Sequence, residues 1–399
     1  MKTKYNWQHP DWPNFKYDKQ ATRQIASAFL DNYRSLLSEV TSLPVEMSES
    51  LQLEQLVDEA TSTSAIEGIQ VKRDSLRASI ASKLFIPGYT SKHDSHSLAI
   101  ADVVTELRAL RLTGIDHSTL WRLQHALVQS QEGNTHRRIQ PGYRTYDDEM
   151  IVADGKHRMT GQGKIFFVAP ASANVPRMMS QFVKQFNATH PQHARGEDEN
   201  FARIAISHIW FESIHPFEDG NGRIGRAISD LALCQFLGQD AVIGISQQLS
   251  KKNNGYYDEL QKASRYTVDV SEWVEWFGNS LISAVVSAQE NISIAKLQSV
   301  WWKQNAHLGL NERQEKVVRK LFQYGTQGME GGLTTRKYIG MTRASKATAT
   351  RDLSQLERLG VLTRNESGGR STNYSLNAFG QQPEKIVTST NNKTNQDHF

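Results

Sequence analysis

Cysteine and long apolar runs are nearly absent from this sequence of 399 residues. The single Cys234 excludes an internal disulfide, and its leucine neighbours predict a buried structural thiol. No segment approaches the ~18 consecutive apolar residues of a membrane span, and the first residues lack the apolar stretch of a secretion signal. We therefore expect a cytoplasmic protein without a membrane partner.

Net charge is also small, because Lys and Arg exceed Asp and Glu by only four. The excess is concentrated in residues 301–380, which contain thirteen Lys or Arg against six Asp or Glu. With 38% hydrophobic residues, the chain can bury a substantial core and is long enough for two or three domains.

Helical spacing of apolar residues over the first 300 positions predicts a mainly α fold. We expect an N-terminal segment over 1–45, whose aromatic rings pack against a surface, and the main helical core over 46–300. Helices are predicted near 18–41, 49–67, 74–84, 95–112, 117–129, 175–187, 198–213, 222–237, 253–263 and 271–300. The β-prone runs 150–152 and 165–168 predict one exposed hairpin.

After residue 305 the order of predicted elements changes. Helices near 311–324, 333–340 and 345–359 precede β-prone runs at 361–363 and 373–376. Three helices followed by a two-stranded wing is the order of a winged helix, which we place at 305–378. Residues 381–399 have little to bury and are predicted to be disordered.

The most informative run is His215-Pro216-Phe217-Glu218-Asp219-Gly220-Asn221-Gly222-Arg223-Ile224-Gly225-Arg226. Gly220 and Gly222 stand directly before a predicted helix, which places unhindered backbone N–H groups at the positive end of its dipole. Arg223 and Arg226 lie on one helix face, where two like charges favour a polyphosphate partner. These residues predict a phosphate site.

Two neighbouring side chains add chemistry to this phosphate site. Asp219 is a hard oxygen ligand suited to the Mg²⁺ that accompanies a nucleotide triphosphate. His215, at the end of the preceding helix, can take a hydroxyl proton near neutral pH. Phe217 is expected to face the core.

The spacing His-x-Phe-x-Asp-Gly-Asn-Gly-Arg-x-x-Arg resembles the signature of the Fic family. This resemblance implies a Fic-type helical core that transfers AMP from ATP, with Mg²⁺, to hydroxyl side chains of target proteins or of the chain itself. The roles it implies are His215 as general base, Asp219 as metal ligand, Gly220, Asn221, Gly222 and Arg223 at the α- and β-phosphates, Ile224 and Gly225 between the arginines, and Arg226 at the γ-phosphate. The intact Gly222 favours AMP over phosphate transfer.

Other regions also resemble the family. Pro141 to Arg144 and the following hairpin resemble the Fic flap, which aligns a target segment by strand addition. Asn253, Asn254, Tyr256 and Tyr257 lie where members build the adenine pocket, and Asn253 and Tyr257 are the candidates for ATP binding, although helix packing explains a tyrosine equally well. The resemblance further implies a homodimer.

Thr63-Ser64-Ala65-Ile66-Glu67-Gly68 resembles the family's inhibitory motif. By this resemblance the helix at about 49–67 is inhibitory, and Glu67 pairs with Arg226 in place of the γ-phosphate of ATP. Thr63 and Gly68 complete the motif.

Two alternatives remain open at this point. Glu67 could orient a water molecule that removes AMP from a modified protein, or the chain could be a DNA-binding regulator whose core senses a nucleotide. DNA contact through the winged helix would involve the basic residues Arg343, Lys346, Arg351, Arg358 and Arg370. We favour a packing or dimerisation role, because Leu353, Leu356 and Leu359 can form a core. The interspersed acidic residues Asp352, Glu357 and Glu366 also dilute the positive charge.

Overall fold

The computed structural model describes residues 4–89, 94–130, 141–146, 149–153, 163–251, 253–325, 328–365 and 372–378, with Asn253 and Asn254 described by backbone alone. The chain divides into two compact units, Met1–Gln289 and Glu290–Phe399. The predicted tail 381–399 lies outside the described residues.

The first unit is mainly helical, which confirms the predicted fold class. Its helices are α1 Lys19–Thr41, α2 Val45–Ile66, α3 Arg73–Lys83, α4 Ser95–Ala109, α5 His117–Gln129, α6 Val175–Ala188, α7 Glu197–Ile214, α8 Asn221–Leu237, α9 Ile245–Lys251 and α10 Asn253–Ala263, while α11 Ser271–Asn305 contributes to both units. Only α9 has no counterpart among the predicted helices. No helix in the described ranges is long and apolar enough to cross a membrane.

Helices α7 and α8 form the centre of this unit, and both are buried along nearly their full length. Helices α1 and α6 pack on α7, whereas α2 and α4 pack on α8. A helix enclosed on all sides needs apolar residues around its circumference, which explains the weak amphipathic pattern of α7. The loop between α7 and α8 carries the motif, so the fold places the motif at its core.

A two-stranded antiparallel hairpin, β1 Ile151–Ala153 and β2 Ile165–Val168, matches the predicted flap strands. The N-terminal aromatic residues anchor it. The rings of Tyr5 and Phe167 lie 4.9 Å apart, and the Trp7 indole Nε1 donates a hydrogen bond of 2.8 Å to the Val168 carbonyl. The prediction that the N-terminal rings serve packing therefore holds for Tyr5 and Trp7, and the hairpin is attached along β2.

The second unit contains α12 Glu312–Phe322, β3 Leu333–Thr334, α13 Thr335–Thr342, α14 Lys346–Arg358, β4 Leu362–Arg364 and β5 Asn373–Leu376. The strands form an antiparallel sheet in the order β3-β5-β4. Strand β3 was predicted as the start of a helix, but it pairs with β5 over two residues. The element order is otherwise the expected one, and the assignment as a winged helix stays a prediction because Arg370 and residues 366–371 lie outside the described part.

The leucines of α14 pack inside their own unit. Leu353 and Leu356 are fully buried, and Leu359 packs against the same core. Asp352 is buried as well, and its Oδ2 accepts hydrogen bonds of 3.0 Å from Arg313 Nε and from the Tyr338 hydroxyl. From inside the unit Asp352 therefore offsets the charge of Arg313, whose side chain is 40% exposed, and the wider dilution of the surface charge stays a prediction.

Candidate active site

The loop between α7 and α8 is shaped by two left-handed residues. His215 ends α7 with φ 48° and ψ 62°, and Gly220 precedes α8 with φ 86°. The Asn221 side chain closes the loop, because its Oδ1 accepts from Phe217 N at 2.9 Å and its Nδ2 donates to Phe217 O at 2.8 Å. Phe217 is fully buried, as expected. The loop is therefore held at both ends and across its middle.

Arg144 secures the same loop from the flap side, a role that the sequence did not reveal. Its buried guanidinium donates from Nε to the His215 carbonyl at 2.8 Å and from Nη2 to the Pro170 carbonyl at 2.5 Å. Its Nη1 donates to Ser172 Oγ at 3.1 Å. Burial lowers the pKa of Arg144. One side chain thus joins both ends of the flap to the motif.

The His215 side chain lies near the surface, with 14% of it exposed. Its Nδ1 is 3.5 Å from Oε2 of Glu212, one helical turn earlier on α7. Burial alone would raise the pKa of Glu212, but the nearby imidazoles of His215 and His208 and the charge of Arg226 outweigh it and keep the pKa of Glu212 below its ordinary value. The histidine is therefore reachable by a substrate and faces a buried carboxylate.

The residues of the motif that are predicted to bind phosphate come together at the N-terminus of α8. Arg223 and Arg226 are 2% and 1% exposed, which is unusual for arginine and demands negative partners. Arg223 Nη2 lies 3.6 Å from Asp219 Oδ1, and that oxygen also accepts from Gly220 N at 2.6 Å. Burial lowers the pKa of Arg223, and the charges of Asp219 and Glu67 only partly offset this.

Ile224 and Gly225 face the protein interior. Ile224 is fully buried. A Cβ on Gly225 would stand 2.8 Å from Oε1 of Glu212 and 3.2 Å from the Phe211 ring, so glycine allows α7 and α8 to approach closely. Their expected contact with ATP stays a prediction.

Two residues of the predicted inhibitory motif, Thr63 and Glu67, bind Arg226. The guanidinium Nε donates to Thr63 Oγ1 at 2.8 Å, and Nη2 donates to the Thr63 carbonyl at 3.0 Å and to Glu67 Oε1 at 2.7 Å. Burial opposes the charged form, but Glu67 raises the pKa of Arg226 above its ordinary value. Gly222 lets Glu67 come this close, because a Cβ there would collide with the Glu67 carboxylate. Gly68, with φ 71°, ends the motif.

The predicted adenine region contains two tyrosines with different surroundings. Tyr256 is 1% exposed and its hydroxyl bonds to His208 Nε2 at 2.8 Å, so it belongs to the core. Tyr257 is 45% exposed and its hydroxyl donates to the Ile66 carbonyl at 3.1 Å, at the end of α2. Burial and the charge of Glu67 raise the pKa of Tyr257 to about 12. The Asn253 side chain lies outside the description.

A second buried contact attaches α2, and no sequence motif indicated it. Glu59 Oε2 accepts from Ser246 N at 2.8 Å. Nearby, Arg108 binds both oxygens of Asp230, with Nε–Oδ2 at 2.5 Å and Nη2–Oδ1 at 2.8 Å. Burial, together with the charge of Asp230, raises the pKa of Glu59 to about 7.

Comparison with known proteins agrees with this site. A model of the Fic/DOC family matches residues 114–233, and a model of a domain of unknown function, DUF4172, matches residues 5–86. A Fido domain-containing protein of Dictyostelium discoideum is 32% identical over 119 residues, which is 29% of this chain and 76% of that protein.

Solved structures give fainter likenesses. A Fic family protein from Desulfovibrio desulfuricans is 16% identical with a TM-score of 0.46, covering 89% of this chain and 97% of its own. A Fic domain-containing signaling protein from Bacteroides thetaiotaomicron is 16% identical with a TM-score of 0.48, covering 66% and 98%. Fic-1 from C. elegans is 19% identical with a TM-score of 0.47, covering 69% and 74%.

The part of the chain that the Fic/DOC model matches includes the complete run from His215 to Arg226. The match to the Dictyostelium protein covers 76% of that relative. The sequence signature and the extended similarity agree: this chain belongs to the Fic/DOC family.

Proposed function

We propose that this chain transfers AMP from ATP to a Ser, Thr or Tyr hydroxyl of a target protein, and that Glu67 restrains the reaction. The observation that carries the proposal is the position of the Glu67–Arg226 pair, at 2.7 Å, beside the glycine turn that begins α8. Members of the Fic family are typically transferases, which supports the reaction class.

The N-terminus of α8 suits the triphosphate of ATP. Left-handed Gly220 directs backbone N–H groups outward at the positive end of the helix dipole. Two buried arginines on the first two turns add positive charge that phosphate oxygens can satisfy in bidentate geometry. In this arrangement Arg223 binds the inner phosphates and Arg226 the γ-phosphate.

Asp219 fits the part of a Mg²⁺ ligand. Its side chain is 53% exposed and lies beside the residues proposed to bind the phosphates, Gly220, Asn221, Gly222, Arg223 and Arg226, which we call the phosphate cradle. Its Oδ1 is oriented by a hydrogen bond from Gly220 N. Magnesium in nucleotide sites commonly uses one or two carboxylates together with phosphate oxygens. The ion would neutralise charge on the phosphates.

His215 supplies the base. The hydroxyl oxygen of the target forms a bond to the α-phosphorus, its proton passes to the imidazole, and pyrophosphate leaves. The left-handed turn at His215 and the hydrogen bond from Arg144 to its carbonyl hold the imidazole at the edge of the cradle. Such positioning and proton transfer each lower the barrier. Adenine would lie near Tyr257 and Asn253.

Restraint follows from competition for one guanidinium. The γ-phosphate needs Arg226, whose Nε and Nη2 are engaged by Thr63 and Glu67. ATP therefore binds in the productive pose only when the Glu67 contact breaks. We further propose that the hairpin aligns a segment of the target protein. The chain would act as a homodimer in the cytoplasm.

The function is tested with the Glu67→Gly chain, Mg²⁺, a cell lysate and ATP labelled at the α-phosphorus. Labelled protein is expected, and His215→Ala in the same background should abolish the label while calorimetry shows ATP binding retained. Undiminished labelling without His215 would reject its role as base. Release of AMP from an already modified protein, without forward transfer, would favour the reverse reaction.

A further inference from the structure

We propose that Glu212 is a positioning residue that selects the tautomer of His215, an inference that rests on the proposed function. The two residues lie three apart at the end of α7, where the left-handed turn brings His215 Nδ1 to 3.5 Å from Glu212 Oε2. The carboxylate is 9% exposed, whereas the histidine borders the cleft.

The surroundings of Glu212 leave His215 as the partner of its carboxylate. The other titratable or charged groups that face Glu212 are His208 on α7, Arg226 on α8, and Tyr256 and Tyr257 on α10. The Tyr256 hydroxyl is bound to His208 Nε2, and the Tyr257 hydroxyl to the Ile66 carbonyl. Burial lowers the pKa of His208 to about 4, so that ring is neutral, and Arg226 is bound to Glu67 and Thr63. Oε1 of Glu212 has no hydrogen-bond partner in the described part of the chain.

Helix α8 keeps the carboxylate in place. The approach of Gly225 closes the space beside Oε1, since even a Cβ there would stand 2.8 Å away. Glycine at this position therefore serves a purpose besides helix packing, because it leaves room for a charged group at the interface. The Glu212 side chain is confined between the two central helices.

This arrangement determines which nitrogen can act as the base. A carboxylate beside Nδ1 favours the tautomer with the proton on Nδ1, which leaves the lone pair of Nε2 for the target hydroxyl. When Nε2 takes the proton, the negative charge of Glu212 stabilises the imidazolium that forms. Without Glu212, part of the population would carry its proton on Nε2 and could not act.

The test compares Glu67→Gly with Glu67→Gly/Glu212→Gln as full chains. We expect kcat to fall roughly 10–100-fold, a large part of a general base's usual contribution, while KM for ATP changes less than about twofold. Glu197→Gln, exposed on the first turn of α7, is the matched control and should leave both parameters unchanged. Should Glu212→Gln fail to fold, Glu212→Asp, which keeps the charge but withdraws it, should lower kcat by less.

Nitrogen NMR of histidine-labelled protein gives a readout independent of activity. His215, identified by signals that vanish in His215→Ala, should show an unprotonated Nε2 in the unmodified chain, where Glu67 binds Arg226, and a mixture of tautomers in the single variant Glu212→Gln. An unchanged tautomer in Glu212→Gln would overturn the positioning role. A kcat of Glu67→Gly/Glu212→Gln equal to that of Glu67→Gly would also overturn it. If Glu67→Gly transfers no AMP, the proposed function fails, and the NMR result still decides the role of Glu212.

Discussion

At the scale of single residues, the decisive contact is the one between the Glu67 carboxylate and the Arg226 guanidinium. We expect Glu67→Gly to raise the rate of AMP transfer at least about tenfold, which corresponds to 1.36 kcal/mol of relieved competition. The change leaves Thr63, the glycine turn and Asp219 in place. Initial rates of the purified variants measure it, with Glu49→Gly, exposed on the same helix, as control. Equal or lower activity in Glu67→Gly would mean that Glu67 is not inhibitory.

Glu59 makes the attachment of α2 sensitive to pH. Its pKa rises from an ordinary value near 4.5 to about 7 in the folded state, so the folded protein binds a proton that the unfolded chain releases. The contribution of this group to stability is therefore full below about pH 4.5 and is lost as pH rises toward 7, by up to about 3 kcal/mol.

Glu59→Gln tests this dependence, because an amide cannot ionise. The free energy of unfolding should depend less on pH between about 4.5 and 7 in Glu59→Gln than in the parent. Denaturant titrations at a series of pH values measure it, with exposed Glu49→Gln as control. Identical pH profiles for the parent and Glu59→Gln would show that Glu59 ionises normally.

The sequence predicted the residues of this site unevenly. Those within the continuous run 215–226, and the Glu67–Arg226 pair, could be recognised because each lies in a motif of fixed spacing. Arg144 and Glu59 could not, because their partners, His215 and Ser246, are 71 and 187 residues away. A contact across such a separation is produced by the tertiary fold and leaves no local pattern.

At the scale of elements, helix prediction succeeded because apolar residues recur at helical spacing along most of the first unit. Asp116 caps α5 by accepting from Thr119 N at 2.9 Å, and Gly238 ends α8 with φ 70°, at the ends that the sequence indicated. Helix α9 and strand β3 were missed because each is too short to show a period. Packing sets the conformation of α9, and pairing with β5, about 40 residues later, sets that of β3.

The anchoring of the hairpin by the N-terminal segment gives a prediction at this scale. Trp7→Phe keeps a ring but removes the N–H that binds the Val168 carbonyl. A hydrogen bond contributes about 1 kcal/mol net, so we expect KM for a target protein to rise about fivefold with ATP binding unchanged. Trp12→Phe is the control, because Trp12 packs on Trp210 instead. Equal KM values in both variants would show that the hydrogen bond from Trp7 plays no part in aligning the target protein.

At the scale of the whole molecule, the second unit has a core of its own, and its leucines are used there. Four basic residues of this region, Arg343, Lys346, Arg351 and Arg358, are nevertheless exposed. We expect no DNA binding by the full chain, measured by fluorescence anisotropy with mixed duplexes at low salt. Binding that weakens steeply with added salt would contradict this expectation and assign the unit to nucleic acid.

The central claim is that one cradle, relieved of Glu67, transfers the α-phosphoryl group of ATP as AMP. The most direct measurement compares ATP labelled at the α-phosphorus with ATP labelled at the γ-phosphorus, using Glu67→Gly and Glu67→Gly/His215→Ala. The account predicts protein labelling from the α position alone, dependent on Mg²⁺ and lost without His215. Labelling from the γ position, or labelling that persists without His215, would contradict it.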